Sequence, residues 1–223
     1  MSNKDTIIEL KSVTKYFGER KVLKNINLII NEGDLISIMG KSGSGKSTLL
    51  NILGFFEKPT SGEYYFEGDK IKNEYRKSEI RNRYMGFVFQ SYNLIPRLTV
   101  YENIVLPIYY SLDKKSIKKR IGKAEELISR YGLEEIKNIY VENISGGEKQ
   151  RACMARAIAC DAKLIISDEP TGNLDEKNKY NVLDMFKEMN KSGKTVIIVT
   201  HDNEVEEIAG KRFYLEGGEL QSV

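Results

Sequence analysis

Over residues 1–90 the apolar positions recur mostly with a period near two. Residues 6–13 (TIIELKSV) and 21–30 (KVLKNINLII) are rich in β-branched side chains and partly alternating. Asn31-Glu32-Gly33-Asp34 follows as a turn, so both segments read as strands. Residues 35–39 (LISIM) form a short apolar run, the mark of a buried strand, and lead through a glycine-rich stretch into a helix over 46–54 (KSTLLNILG). Residues 63–68 (EYYFEG) and 84–89 (YMGFVF) are two further strand segments.

From 91 to 161 the period changes. In SIKKRIGKAEELISRYG, Ile117, Ile121, Ala124, Leu127 and Ile128 fall on one helical face. Asp113 or Ser116 is placed to cap this helix and Gly132 to end it. Beyond 161, strand and helix alternate again: KLIIS, NVLDMFKEMNKSG, KTVIIVT. Such alternation predicts a parallel sheet with crossover helices. No internal repeat, low-complexity tract or linker interrupts the chain. The division expected is a single domain, with 1–90 as a β portion plus the start of the core, 91–161 as a helical insertion, and 162–223 as the rest of the core.

Composition narrows the class. The chain has 223 residues, 40% of them hydrophobic and 30% charged, which is ordinary for a water-soluble protein. No apolar run approaches the roughly 20 residues of a membrane span, and the polar start has no secretory apolar segment. A cytosolic chain is expected, with any membrane role left to a separate partner. The net charge of +3 gives no argument for nucleic acid. Lys114, Lys115, Lys118 and Lys119 read as a solvated helix face. Cys153 and Cys160 lie seven apart in a helical pattern, about 10 Å between Cα atoms and too far for a disulfide. Both are expected to be small buried groups in a reducing compartment.

Three motifs carry chemistry. Gly40-Lys41-Ser42-Gly43-Ser44-Gly45-Lys46-Ser47 matches G-x-x-x-x-G-K-S/T between a predicted strand and a predicted helix. The glycines let backbone N–H groups turn toward phosphates, and the helix adds its positive end. Gly40, Ser42, Gly43, Ser44 and Gly45 would form the cradle, with Thr48 in the first helical turn. Lys46 would reach the β- and γ-phosphates and Ser47 would bind Mg²⁺. Next, Leu164-Ile165-Ile166-Ser167-Asp168-Glu169-Pro170 delivers two carboxylates at a strand end. Asp168 would hold the metal, and Glu169 would orient or deprotonate water. Third, Ile144-Ser145-Gly146-Gly147-Glu148-Lys149-Gln150 sets a Ser-Gly-Gly turn before a helix, a second anion-binding helix start. One nucleotide needs only one cradle.

With this third motif the whole chain resembles the ABC ATPase family, whose signature is usually written LSGGQ. The resemblance implies an α/β fold: a P-loop NTPase core with a mostly parallel sheet, an N-terminal antiparallel β subdomain and an inserted α-helical subdomain. It implies ATP and Mg²⁺ as ligands and a head-to-tail homodimer in which Ser145, Gly146 and Gly147 close on the partner's nucleotide. A transmembrane permease would hold the chain peripherally on the inner face of the cell membrane. By the same matching, Gln90 resembles the residue that senses Mg²⁺ and the attacking water. Asp175, in Thr171-Gly172-Asn173-Leu174-Asp175, resembles the acid of the loop between subunits. His201, the single histidine, resembles the switch that contacts the γ-phosphate. Phe17 aligns with the aromatic that stacks on adenine, with Tyr16 as the alternative.

Lys41, Ile144 and Ser167 depart from the usual pattern without removing a catalytic group. Ser167 puts a hydroxyl into an apolar strand, where it would need a hydrogen-bond partner. The segments EPTGNLD and SYNLIPRLTVYENIVLP resemble the branch of macrolide exporters, lipoprotein-release ATPases, antimicrobial-peptide resistance transporters and the cell-division relative. That resemblance implies export, mechanical transmission or, as in the cell-division relative, regulation of a membrane complex. The insertion is too short for the coiled-coil arms of a DNA-maintenance ATPase. A translation-associated ABC factor would carry two ATPase domains, and this chain has one.

Overall fold

A computed structural model describes residues 5–110, 116–172 and 174–223. Asp113, Lys114, Lys115 and Asn173 lie outside the described residues. Two sheets form the framework. Strands β1 (Thr6–Phe17), β2 (Arg20–Asn31), β4 (Ser61–Phe66) and β5 (Asp69–Lys70) make an antiparallel sheet in the order β2-β1-β4-β5. Strands β3 (Leu35–Met39), β6 (Met85–Phe89), β7 (Leu164–Asp168), β8 (Thr195–Val199), β9 (Lys211–Glu216) and β10 (Glu219–Ser222) make the second, ordered β10-β9-β3-β8-β7-β6. All its pairs are parallel except β9 with β10.

The central strands β3 and β8 are buried along their whole length, so their apolar runs serve both faces of the sheet. On one face Ile36, Ile38, Ile166, Ile197 and Val199 pack with Leu49, Leu50, Ile52 and Leu53 of helix α1 (Lys46–Leu53) and with the antiparallel sheet. On the other, Leu35, Ile165, Val196 and Ile198 pack under the long helices. These are α3 (Val100–Tyr109), α4 (Ile117–Arg130), α5 (Gly146–Ala159) and α6 (Glu176–Lys191). Gly132 follows α4 at φ +63, the left-handed conformation that ends a helix. Both cysteines are buried on α5 and at its end. Among the described residues no helix is long and apolar enough to cross a membrane.

Five elements stand beyond the sequence expectations, the two-residue strand β5 among them. Helix α2 (Glu74–Tyr84) buries a single residue, Ile80, so it has no apolar stripe to announce it; Asn73 caps it. Strand β10 at the sheet edge is mostly exposed, β9 beside it is half-buried, and α7 (Asn203–Ile208) has only six residues. Helix α6 begins five residues ahead of the apolar pattern, because Asp175 accepts the Asn178 N–H as its N-cap. Ser167 also departs from expectation. It is fully buried between Ile198 of β8 and Val88 of β6, and its hydroxyl has no partner among the described residues. Its neighbours across both ladders are hydrocarbon, so nothing there can accept the proton.

Helix α5 is seated on the sheet through Gly86. A Cβ there would stand 2.2 Å from the Ala157 carbonyl oxygen and 2.9 Å from Ile165 Cδ1. The first contact is backbone and cannot swing aside. Gly86→Ala is therefore expected to push α5 off β6 and to lower stability by about 1–3 kcal/mol, as overpacking of a filled core does. Denaturant unfolding of the two proteins measures it, and equal midpoints would contradict the close approach.

Candidate nucleotide site

The loop between β3 and α1 is a backbone structure that glycine makes possible. Gly40, Gly43 and Gly45 have φ of +155°, +77° and +107°. A Cβ on Gly40 would lie 2.3 Å from the Leu215 carbonyl oxygen and 2.8 Å from Ser44 Oγ. Gly45 is the N-cap of α1 and supplies no side-chain cap, and the first turn holds no acidic residue. A helix start of this kind leaves its first N–H groups to an outside acceptor and keeps its positive end uncompensated. Lys46 folds back along the loop, its Nζ donating to the carbonyls of Gly40 (2.7 Å) and Lys41 (3.2 Å). The buried Ser44 hydroxyl has no partner among the described residues.

A cleft of about 740 Å³ opens over this loop. Gly40, Ser42, Gly43, Gly45, Lys46, Ser47 and Thr48 line its floor. Gln90, Asp168, Glu169 and His201 close its far wall, and Phe17 stands at the rim, 49% exposed. Tyr16, which points the other way from the strand, does not line the cleft. Arg20 and Val22 of β2 also line it, and neither belongs to a motif that could have signalled this. Ser44 faces the adjoining recess beneath the loop.

The carboxylates have distinct surroundings. Burial pushes the Asp168 carboxyl above its ordinary range; the neighbouring Glu169 charge adds to the rise and Lys46 opposes it. Glu169 has φ +46, an uncommon conformation outside glycine, which turns its side chain back toward β8. Its Oε2 accepts from the Thr200 hydroxyl (3.0 Å) and the His201 N–H (3.3 Å), and Oε1 lies 2.9 Å from His201 Nδ1. Thr200 is fully buried, and no sequence motif had marked it.

The Ser-Gly-Gly turn lies elsewhere. Ser145, Gly146 and Gly147 start α5, and none of them lines the cleft. Ser145 and Glu148 form a reciprocal cap. Ser145 N–H and Oγ each donate to Glu148 Oε2 at 2.7 Å, and Glu148 N–H donates back to Ser145 Oγ at 3.4 Å. These bonds, the serine hydroxyl's first, hold the Glu148 carboxyl below its usual range. Glu148 stands where the signature is usually written with glutamine, a fourth departure beside Lys41, Ile144 and Ser167. A Cβ on Gly147 would lie 3.0 Å from Asn178 Oδ1, and Asn178 is bonded to Asp175. The signature turn and the Asp175 loop thus adjoin, and the loop in turn touches the cleft wall, where a Cβ on Gly172 would lie 3.1 Å from Gln90 Nε2.

The raised Asp168 carboxyl has a measurable consequence. An acid whose folded pKa exceeds its unfolded pKa lowers stability when ionised, and this penalty fades as pH falls through the carboxylate range. Asp168→Asn removes the charge, so the nucleotide-free variant is expected to melt above wild type at neutral pH. The gap should close on acidification, as wild-type Asp168 takes up its proton. A variant that melts lower at neutral pH would show that burial does not control this site.

A sequence model of the family described as ABC transporter matches residues 23–172. The chain is 40% identical over 217 residues to the lipoprotein-releasing system ATP-binding protein LolD of Aquifex aeolicus, covering 96% of each. It is 41% identical over 221 residues to the macrolide export ATP-binding/permease protein MacB of Mannheimia succiniciproducens; that alignment takes in 96% of this chain and 34% of MacB. Among solved structures, the cassette MJ0796 of Methanocaldococcus jannaschii, seen as a dimer, has 42% identity, covers 96% of this chain and 97% of its own, and superposes with a TM-score of 0.85. The same cassette is known as a dimeric post-hydrolysis state bound to ADP and Pi. On these grounds the chain belongs to the ABC transporter family, as an ATP-binding and ATP-hydrolysing cassette.

Proposed function

We propose that two copies of this chain pair head to tail on ATP and drive a separate membrane permease, in export or in mechanical transmission across the membrane. One observation carries the pairing: the second helix start, at Ser145-Gly146-Gly147, lines no part of the chain's own cleft. It stands on a surface with Asp175, where a second copy can meet it. The dimeric structures of the related cassette support this reading. The names of LolD and MacB support a lipoprotein-release or macrolide-export type of machine, with the chain held peripherally on the inner face of the membrane.

Within each site the chain's own groups divide the work. The N–H groups of the Gly40–Gly45 loop and of the α1 start, with Lys46, bind the phosphates. Phe17 offers its exposed ring to the adenine. Ser47, Asp168 and Gln90 line the same cleft and would offer hard oxygen donors, a set that suits Mg²⁺. A bound Mg²⁺ would supply positive charge against the phosphates and would offset the cost of keeping Asp168 ionised. Glu169 orients or deprotonates the attacking water, and His201, bonded to Glu169 at 2.9 Å, contacts the γ-phosphate. Ser145, Gly146 and Gly147 of the other copy complete the anion cradle, and Asp175 links the two copies.

Three variants test this together. Glu169→Gln keeps shape but loses the negative charge, so hydrolysis should fall by at least about a hundredfold while ATP binding remains. On a sizing column with ATP this variant should run as a dimer. Ser145→Arg should hydrolyse almost nothing yet bind ATP as a monomer, because its own Lys46 cradle is intact. Mixed with Lys46→Ala chains, it should recover some activity, since the heterodimer contains one whole site. Full turnover by Ser145→Arg at every protein concentration would leave Ser145-Gly146-Gly147 as a helix start and no more.

A further inference from the structure

Behind the cleft a continuous polar run leads from Glu169 to α6. Thr200 Oγ1 donates to Glu169 at 3.0 Å and accepts the Asp202 N–H at 3.1 Å. Asp202 caps α7, its Oδ1 taking the Glu204 N–H at 3.0 Å. Its Oδ2 accepts the Thr171 hydroxyl at 2.9 Å and meets Lys179 Nζ at 2.8 Å. Lys179 reaches Glu204 as well, at 3.1 Å, while its backbone N–H donates to the Asp175 carbonyl at 2.9 Å. One residue therefore touches the Asp175 loop through its backbone and the neighbour of His201 through its side chain.

Lys179 is largely withdrawn from water, as Lys15 and Lys77 are. Val182, Leu183 and Phe186 form the buried face of α6, and Lys179 lies three and four residues ahead of the first two, on the same stripe. Its side chain is 19% exposed and that of Asp202 16%, whereas the surface pair Arg130–Glu188 is 60% and 53% exposed. A cation so far withdrawn from water needs an anion in contact. The bond to Asp202, and then that to Glu204, hold the Lys179 ammonium above its ordinary pKa. Burial opposes ionisation of Asp202, yet the bonds from Lys179, Thr171 and the Glu204 N–H outweigh it and keep the carboxyl low.

We propose that Lys179 is a positioning residue for ATP hydrolysis: through Asp202 and Thr200 it fixes Glu169 and His201 relative to the Asp175 loop. The hydrolytic groups then keep their geometry only while that loop keeps its place against α6. This rests on the reading of Glu169 and His201 as the groups that act on water and phosphate. Lys46 and the phosphate loop are outside the run, so binding and turnover should separate when Lys179 is changed.

Lys179→Met keeps the stem and removes the charge; Lys179→Arg keeps the charge. The Met variant should lose about ten- to a hundredfold in kcat, the scale of a small misplacement of catalytic groups. Its ATP affinity, measured by calorimetry in a Glu169→Gln background, should stay within about twofold, because the binding groups are remote from the change. The Arg variant should recover most of kcat. A Met variant with wild-type kcat per folded molecule, an equal loss of ATP affinity, or an Arg variant no better than Met would each overturn the proposal. If the Met variant does not fold, Lys179→Leu, which also removes the charge and the donor to Asp202, is measured against the same limits. Glu169→Gln run in parallel separates the two readings. Normal hydrolysis by Glu169→Gln would remove the Glu169 role itself, whereas an inactive Glu169→Gln beside a fully active Lys179→Met would remove only the positioning role.

Discussion

A single row across the parallel sheet, Phe89–Asp168–Val199–Ile38, sets where every group of the cleft wall can stand. The residue after each of the first three is Gln90, Glu169 or Thr200, and the chain beyond Ile38 reaches Gly40 two residues later. Parallel register brings all four strands to their ends at the same edge, so groups from residues 40 to 201 meet there without a long loop to carry them. Because side chains alternate faces, a slip of one residue in β7 would exchange Asp168 with Glu169 against its neighbours and turn Ile165 from one core to the other. Both cores are apolar, so it is the close-packed fit of Ile165 in one and Ile166 in the other, rather than their polarity, that holds the register. Packing inside the sheet thus places the polar chemistry at its edge.

The two helix starts answer the same electrostatic problem in opposite ways. The start of α1 has glycine as its cap and no acid in its first turn, so its N–H groups point into the cleft uncompensated. The start of α5 is closed on itself by the Ser145–Glu148 box, with the serine hydroxyl donating to a carboxylate that stays ionised. On the proposed reading, Ser145 must exchange that acceptor for a phosphate oxygen of the partner's nucleotide. The exchange is between two anions, so it gains only the difference between them. This suits a pair that closes on ATP and opens afterwards, because a ligand shifts such an equilibrium only by its differential affinity.

What the sequence reveals of this arrangement depends on how local each cause is. The phosphate loop is legible because glycines, lysine and hydroxyl sit at fixed offsets within one strand–helix turn. The buried strands β3, β7 and β8 are legible because β-branched apolar runs need burial on both faces. Helix α2 is not, since a helix burying only Ile80 reads like solvated loop. Thr200 and Lys179 are opaque for another reason: each is polar, and its meaning lies in a partner 31 or 23 residues away, Glu169 for the one and Asp202 for the other. Resemblance favours Phe17 and leaves Tyr16 as the alternative; in the structure Phe17 lines the cleft and Tyr16 does not. Ser167 looked like a residue awaiting a partner, and its surroundings of Val88 and Ile198 are themselves ordinary strand residues with nothing to offer.

The loop that begins at Gln90 shows how the helical region and the cleft share one mechanical element. Tyr92 and Asn93 both adopt left-handed conformations, at φ +60 and +47, costly for two successive non-glycine residues. Their carbonyls are held from α5: Arg156 donates to both, and Cys153 Sγ donates to Tyr92 at 3.3 Å. The turn also has bonds of its own, from the Tyr92 N–H to the Phe89 carbonyl, from the Asn93 N–H to the Ser91 carbonyl and from the Ser91 hydroxyl to Asn93 Oδ1, and the α5 donors tie it to the helix. Gln150, on the same helix, donates to the Pro170 carbonyl at 3.0 Å from a fully buried position, just beyond Glu169. Helix α5 therefore grips the chain on the far side of Gln90 and again beyond Glu169, while its own start carries Ser145. On the proposed pairing, a displacement of Ser145 toward a partner would be carried along the helix to both grips, next to Gln90 and Glu169.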